Sequence, residues 1–392
     1  MGIDGTILPM VYQIDTIILE QLLLLCYSEA MVVCYTGGGT LGHIFPALAV
    51  HEELACSPDY QAFWIGREEA SEKEVVGHYG IPFFAIRWGK LRRYWSLRNF
   101  LDIGNIIIAF FQALHILRVQ KPDVIFSKGG FVSVPPVLAA AVLHIPVVSH
   151  ESDATPGLAT RINAKYSQCI CVPFHEGFTA LKKYNLVVTG NPIRRSLVLA
   201  SQQESMQRPA FLGLSEPLIL VLGGSSGSAQ INLLVRETLA SLTEMGYVYH
   251  QCGANDVQHL VHDRYQEVSF IDEALPLLLK NATVVVSRAG ANTLAELALF
   301  GCPSLLIPLG GASSRGDQID NARLFERKEA AMVLYPDTLD AKQFLESVSL
   351  LVGDEEFRER LRGNMKKLAY GTSAHHIATV LKTVKESTCN GV

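Results

Sequence analysis

Long apolar runs, paired cysteines and an excess of positive charge are all missing from this 392-residue chain. No uninterrupted apolar stretch reaches the roughly 18 residues of a transmembrane helix, which removes an ordinary membrane span. The eight cysteines (Cys26, Cys34, Cys56, Cys169, Cys171, Cys252, Cys302 and Cys389) contain no CxxC pair. That removes a thioredoxin-like motif, and such scattered cysteines read as reduced, buried thiols of a cytosolic protein. No His/Cys cluster has metal-site spacing, so neither a metal nor a cofactor is expected. The net charge of −5 gives no bulk attraction to nucleic acid, and no nucleic-acid-binding motif appears. With 49% hydrophobic and 18% charged residues the chain is not disordered, and its length favours two domains.

Residues 1–30 fit none of the usual targeting classes. Ile14 to Leu25 is apolar, but Asp15, Glu20 and Gln21 interrupt it. It has no basic leader and no small-residue cleavage site, unlike a signal peptide. The expectation is that translation starts at Met31 and that residues 1–30 are an upstream extension. A helix lying on a membrane surface is the competing reading.

Glycine, by contrast, is placed with purpose. Two glycine-rich turns each end a predicted strand and open a helix: TGGGTLGH at 36–43 and LGGSSGSAQ at 222–230. A helix N-terminus carries unpaired N–H groups and partial positive charge, and glycine lets a phosphate reach the backbone. One such turn per half points to two nucleotide-fold domains facing each other. The first turn also satisfies the dinucleotide fingerprint through Gly37, Gly39 and Gly42. The acidic residue that should follow on the second strand is missing there, since Glu68 and Glu69 come late. That argues against a nicotinamide dehydrogenase.

From Met31 onward, short buried strands alternate with helices, the pattern of a parallel sheet covered on both faces. Strands are expected at 32–35, 61–65, 83–86, 124–127, 147–149, 170–172 and 187–189, with helices at 100–119 and 134–143. Residues 193–214 lose the rhythm; the polar run SQQESMQRP reads as part of a linker. A second set of strands follows at 218–222, 247–251, 268–271, 284–287, 304–307 and 332–334. The tail 354–385 is helical. The resulting division is 1–30, then 31–192 with a returning C-terminal helix at about 372–387, then a linker at 193–214, then 215–371.

Several ionisable groups stand at strand ends, where clefts of such sheets bind ligands. His43 in the first turn is a candidate general base, because imidazole titrates near neutral pH; the alternative is a histidine that caps the turn or binds phosphate. Ser127-Lys128-Gly129-Gly130-Phe131 is another glycine turn in the same half. Glu151 and Asp153 can accept a proton or orient a hydroxyl, while Asp153 also suits a helix cap. Arg194 and Arg195, after Gly190-Asn191-Pro192, suit a diphosphate clamp or a surface salt bridge. In the second half, Arg288 to Thr293 leads into a helix carrying Glu296, a group able to take both hydroxyls of a ribose. Ser314 to Asn321 offers the carboxylates and amides that bind a sugar. Finally, RWGKLRRYWSLR at 87–98 holds five basic residues, two Trp, one Tyr and no acid. That composition suits an anionic membrane surface; an ordinary basic loop is the alternative.

Taken together and in order, these motifs resemble the MurG family of bacterial peptidoglycan glycosyltransferases, over Met31 to about Lys385. The resemblance implies a GT-B fold: two Rossmann-like parallel-sheet domains around a deep interdomain cleft. It implies transfer of N-acetylglucosamine from UDP-GlcNAc to the undecaprenyl-linked acceptor lipid I, giving lipid II, at the cytoplasmic face of the cell membrane. The second domain would hold the donor. Phe270 and Ile271 would meet the uracil, the latter through its backbone. Ser225 and Arg194 would serve the diphosphate. Ala291, Asn292, Thr293, Leu294, Ala295 and Glu296 would surround phosphate and ribose. Gln318, flanked by Asp317 and Asn321, would bind the sugar hydroxyls. The first domain would take the acceptor, with Thr40, Leu41 and Gly42 lining the cleft and the basic aromatic stretch docking on the membrane. The base would be His43, Asp153 or Glu151, in that order. Leu41 and Asp153 depart from the commoner family glycine and asparagine, and an ionised aspartate only accepts hydrogen bonds. A UDP-sugar epimerase or another lipid-acceptor transferase is the alternative on the same fold, and a non-catalytic nucleotide-binding module leaves the ionisable groups without a task.

Overall fold

In a computed structural model of the chain, the described residues are 30–38, 41–87, 98–203, 207–213, 215–224, 227–310, 316–337 and 339–389. Runs of buried Val, Ile, Leu and Phe that lack a polar face cannot sit at a half-solvated sheet, so they become the strands of two sheets covered on both sides. The first sheet contains β1 (Met31–Thr36), β2 (Tyr60–Arg67), β3 (Phe83–Ile86), β4 (Val124–Ser127), β5 (Val147–His150), β6 (Cys169–Val172) and β7 (Leu186–Val188). Its order is β3-β2-β1-β4-β5-β6-β7. The second contains β8 (Leu218–Leu222), β9 (Tyr247–Gln251), β10 (Tyr265–Val268), β11 (Val284–Ser287), β12 (Ser304–Leu306) and β13 (Met332–Val333), in the order β10-β9-β8-β11-β12-β13. All pairings between these strands are parallel.

Both orders reverse direction once, between β1 and β4 and between β8 and β11. Chain leaving neighbouring strands at such a point runs to opposite faces and opens a crevice at the carboxyl ends. The first glycine turn follows β1 and the Lys128 turn follows β4. The second glycine turn follows β8, and Arg288 follows β11. Topology thus puts each sequence motif at a crevice.

The helix Leu41–Leu54 buries Ile44, Ala47, Leu48 and Leu54 on one face of the first sheet, beside Val76 of Ala70–His78. The helices Arg98–Gln120 and Val134–Leu143 cover the other face through Ala113, Leu117, Val137 and Ala140. The second sheet is sandwiched the same way, by Ile231, Phe344 and Leu351 on one side and Leu278, Leu297 and Phe325 on the other. The C-terminal helix Ser373–Cys389 returns to the first sheet, where Ile377 and Leu381 join its core. Cys34, Cys56, Cys169, Cys171, Cys252 and Cys302 are free thiols.

Two helical stretches differ from the sequence reading. Residues expected as a linker contain the helix Arg195–Gln202, and Ile193, Leu197, Ala200 and Leu212 are buried in the second core. Helical spacing of Leu197 and Ala200 was masked by the polar residues around them. The helical tail is also broken: Glu355–Lys366 and Ser373–Cys389 are separate helices.

Candidate active site

The first sheet's crevice is floored by two interlocked turns. Lys128 N–H donates to the Thr36 carbonyl at 2.8 Å, joining the ends of β4 and β1. A Cβ on Gly130, whose φ is +75°, would lie 2.5 Å from the Gly38 carbonyl oxygen. The close approach of the two turns therefore requires glycine there. Asn163 donates to Ser127 Oγ at 3.1 Å and Ser133 Oγ at 2.8 Å, bracing the second turn from below.

The segment after β5 is built around Glu151. Its Oε1 accepts the Ser152 and Asp153 N–H groups at 2.9 and 3.2 Å. Its Oε2 accepts the Gly157 N–H at 2.9 Å and the Thr160 hydroxyl at 2.6 Å. Both oxygens are thus committed to holding the loop. His150 is fully buried and donates from Nε2 to the Gly190 carbonyl at 3.1 Å; burial, then the nearby Lys128 charge, hold it well below the usual imidazole range and keep it neutral. Lys128 is itself 1% exposed and donates from Nζ to Ser152 Oγ. Burial pushes its ammonium down to about 8, against the pull of Glu151 and Asp153. Asp153 is pushed up to about 6, by burial first and the Glu151 charge second, while the amide of Asn321 opposes the rise.

On the second sheet, the turn after β8 needs Gly227, where a Cβ would meet the Cys252 carbonyl at 2.2 Å. The helix Ala229–Glu237 that follows is capped by Ser228, whose hydroxyl accepts the Ile231 N–H at 3.3 Å. Arg288 is not loose in the cleft: it donates to Gln230 Oε1 at 3.1 Å and to the Ile307 and Pro308 carbonyls at 3.0 and 3.2 Å. A side pocket of about 900 Å³ is lined by Phe45, Arg194, Gly224, Gln251, Phe270, Ile271 and Glu296, among others. Arg194 sits between Asp272 at 3.6 Å and Glu296 at 3.8 Å, with its guanidinium over the Phe45 ring. Burial raises the Glu296 carboxyl to about 7, with Arg194 resisting. The Ile271 N–H donates to Gln251 Oε1 at 2.9 Å.

The two halves face each other across a cleft of about 1940 Å³, open to solvent and lined by Gly42, His43, Lys128, Asp153, Asn292 and Gln318, among others. Side-chain hydrogen bonds join the two halves in and beside it. Asn292 donates to the Gly42 carbonyl at 2.8 Å, and Asn191 to the Ala291 carbonyl at 3.3 Å. Thr155 donates to Asp320 Oδ2 at 3.1 Å. Asn321 donates to Asp153 Oδ1 at 3.0 Å and accepts the Ala154 N–H at 2.7 Å.

Most residues singled out in the sequence converge here, with exceptions. Leu294 and Ala295 line a separate cavity of about 390 Å³ between the two halves, with Asn191 and Tyr370; only Ala291, Asn292, Thr293 and Glu296 of that run reach the cleft or side pocket. Gln318 lines the cleft, and its Oε1 accepts the Leu309 N–H at 2.9 Å. Thr40, Ser225, Ser314, Arg315, residues 1–29 and residues 88–97 lie outside the described residues, as does the side chain of Leu41. Sequence reasoning passed over Phe45, which crosses from the first domain to the side pocket, and Gln251. A polar residue ending the buried strand β9 was the available signal for the latter. Among the described residues no three His, Cys, Asp or Glu side chains are placed to hold a metal ion.

Paired parallel sheets with facing crevices, a side pocket that holds Arg194 and Glu296, and ionisable groups across the gap are the architecture of a two-domain protein of the GT-B type. The glycosyltransferase family 28 N-terminal domain matches residues 33–172 and the family's C-terminal domain matches residues 218–377. The chain belongs to that family. A Clostridium botulinum protein named UDP-N-acetylglucosamine–N-acetylmuramyl-(pentapeptide) pyrophosphoryl-undecaprenol N-acetylglucosamine transferase is 40% identical over 352 residues, covering 89% of this chain and 98% of its own. Among solved structures, Acinetobacter baumannii MurG superposes with a TM-score of 0.71 at 24% identity, over 90% of this chain and 99% of that one. A UDP-GlcNAc 2-epimerase from Neisseria meningitidis, bound to UDP-GlcNAc, shares the fold at a TM-score of 0.63 and 18% identity, over 90% and 99% of the two chains.

Proposed function

We propose that this protein moves N-acetylglucosamine from UDP-GlcNAc to the C4 hydroxyl of the N-acetylmuramyl sugar of undecaprenyl-pyrophosphoryl-MurNAc-pentapeptide, forming lipid II. The observation that carries the reading is the cleft itself. A side pocket that holds Arg194, Phe270 and Glu296 opens beside a larger gap lined by His43 and Asp153 from one domain and Asn292 and Gln318 from the other. An epimerase has no need of a second substrate on the far wall. Identity of 40% to a named transferase, along nearly its whole length, supports the same choice.

The uracil lies against Phe270 and the Ile271 backbone, and Glu296 takes the ribose hydroxyls. The diphosphate meets the turn containing Ser225 and the N-terminus of the helix Ala229–Glu237, with Arg194 nearby. Gln318 holds the amino sugar. His43, at the start of the helix Leu41–Leu54, takes the proton from the attacking hydroxyl as the new bond forms on the face opposite the departing UDP, inverting the anomeric carbon. Backbone N–H groups and the helix end bear the leaving charge. Asp153 is the second candidate base, since it lies in the same cleft and is ionised at neutral pH. Glu151 is set aside, because four hydrogen bonds already occupy it.

The acceptor is membrane-bound, so the enzyme works as a peripheral protein at the cytoplasmic face. Helix Arg98–Gln120 exposes Ile107, Ile108 and Phe111 at one-turn spacing, close in sequence to the basic aromatic stretch 87–98. Such a face suits an anionic bilayer. Among the described residues no helix is long and apolar enough to cross a membrane.

Radiolabelled UDP-GlcNAc, incubated with the protein with and without lipid I, tests the reading. Label should enter the lipid fraction when lipid I is present. Label converted to another UDP-sugar without lipid I would replace the reading by epimerisation.

A further inference from the structure

The glycine turn after β1 has a carboxyl behind it. Glu72, on the helix Ala70–His78, is 2% exposed. A Cβ on Gly38, in that turn, would lie 2.5 Å from its Oε1 and 3.0 Å from its Oε2. A Cβ on Gly66, in β2, would lie 2.8 Å from Oε1 and 2.7 Å from Phe83 Cζ of β3. Glycine at both points leaves the room that the carboxyl fills. Arg67 Nε stands 3.5 Å from Oε2, and Arg67 Nη2 also pairs with Glu69. Neither Glu72 oxygen accepts a hydrogen bond, which is rare for a buried carboxyl. Burial pushes the group up to about 7, against Arg67, while the Glu69 charge adds to the rise. On the far side of the turn, Lys128 Cβ lies 3.0 Å from where a Gly37 Cβ would be, and the ammonium of Lys128 goes to Ser152. Glu72 thus stands behind the cleft wall and not on it.

We propose that Glu72 is a positioning residue for the acceptor: its carboxyl backs the first glycine turn, and its charge state sets how well that side of the cleft tolerates the acceptor's pyrophosphate. Protonated, the carboxyl keeps its fit against Gly38 and adds no charge. Ionised, it puts a negative charge behind the wall that an anion must approach. Acceptor binding therefore draws a proton onto Glu72, and acceptor affinity falls as pH rises through about 7. The charged groups facing Glu72 are Arg67 and Glu69; Phe83 closes the space from β3 as an apolar ring. This rests on the reading that the first domain takes the lipid-linked acceptor.

Glu72→Gln tests it, because the amide keeps the size and stays neutral at every pH. KM for lipid I and kcat are measured on the full chain at saturating UDP-GlcNAc between pH 6 and 7.5. Lys128 and Asp153 titrate alike in both proteins, so their part cancels in the ratio of the two KM values. The wild-type KM divided by that of the variant should grow about fourfold over this range, with the change in KM and not in kcat. At pH 7.5 the variant should then take lipid I at lower concentration than the wild type, a gain that structural damage does not produce. A constant ratio, or a variant with the higher KM at pH 7.5, overturns the proposal. If the variant does not fold, the wild type is titrated at pH 7 with a short-chain lipid I analogue, by calorimetry in two buffers of different ionisation heat. Proton uptake on binding is the expected result, and its absence overturns the proposal. A wild type that transfers nothing to lipid I sinks the acceptor assignment instead.

Discussion

Asn321 and Asp153 meet across the cleft at 3.0 Å, Nδ2 to Oδ1, and they come from different sheets. The Asn321 amide is oriented by its other bonds, to the Ala289 carbonyl at 3.1 Å and from the Ala154 N–H at 2.7 Å. It is 3% exposed, and its polar atoms are committed to the bridge rather than to a sugar. Asn321→Asp would place two carboxylates in contact in a buried setting, so kcat/KM should fall about 100-fold or more. Adding Asp153→Asn restores a donor opposite the new acceptor and should recover at least about tenfold. Steady-state kinetics on the two single variants and the double variant check this; a double variant as weak as Asn321→Asp would count against the bridge.

Glu151 makes a contrasting case. Its carboxylate accepts from three backbone N–H groups and the Thr160 hydroxyl. Glu151→Gln forces an NH₂ group against at least one N–H donor, an arrangement that costs about 1–3 kcal/mol. Thermal unfolding should show the midpoint falling by several degrees, with activity falling alongside it. Retained stability with abolished turnover would instead make Glu151 a proton acceptor.

Glu296 predicts a pH dependence of donor binding. Burial lifts its carboxyl to about 7. Only the ionised form accepts from both ribose hydroxyls, so UDP affinity should rise with pH through about 7 and level off above it. Below that window the protonated carboxyl offers a weaker acceptor. Calorimetric Kd values for UDP from pH 6 to 8 measure the slope, and Glu296→Gln should flatten it.

The sheets were largely legible because fully buried parallel strands announce themselves as apolar runs. β4, β8, β9 and β11 begin and end where those runs do. The strand expected at 268–271 failed for an informative reason: the sheet uses Tyr265–Val268, a polar edge with Gln266 and Glu267. The apolar residues beyond it, Phe270 and Ile271, line the side pocket instead. Glycine turns and strand-end polar groups located the cleft. Which polar group bonds which was not legible, since Glu151, Asn321, Asn292 and Gln251 find partners between 20 and 250 positions away or in turns whose path no spacing reveals.

His43 carries the sharpest consequence for the chemistry. It lies in the first turn of the helix Leu41–Leu54 and lines the cleft from the first domain, while the proposed donor site lies mainly on the second. A base placed there can contact the acceptor hydroxyl without touching the nucleotide. His43→Ala should therefore leave the Kd for UDP unchanged and lower kcat at saturating donor by about 10²- to 10⁴-fold. If the imidazole must be neutral to act, the wild-type kcat should fall toward acid pH, and the variant should lose that limb of its profile. Asp153→Asn offers the comparison. It keeps an acceptor for Asn321 and removes a carboxylate that burial and Glu151 hold at about 6. Should Asp153→Asn abolish the acid limb and His43→Ala turn over near the wild-type rate, the proton goes to the aspartate, and His43 is left to position the acceptor.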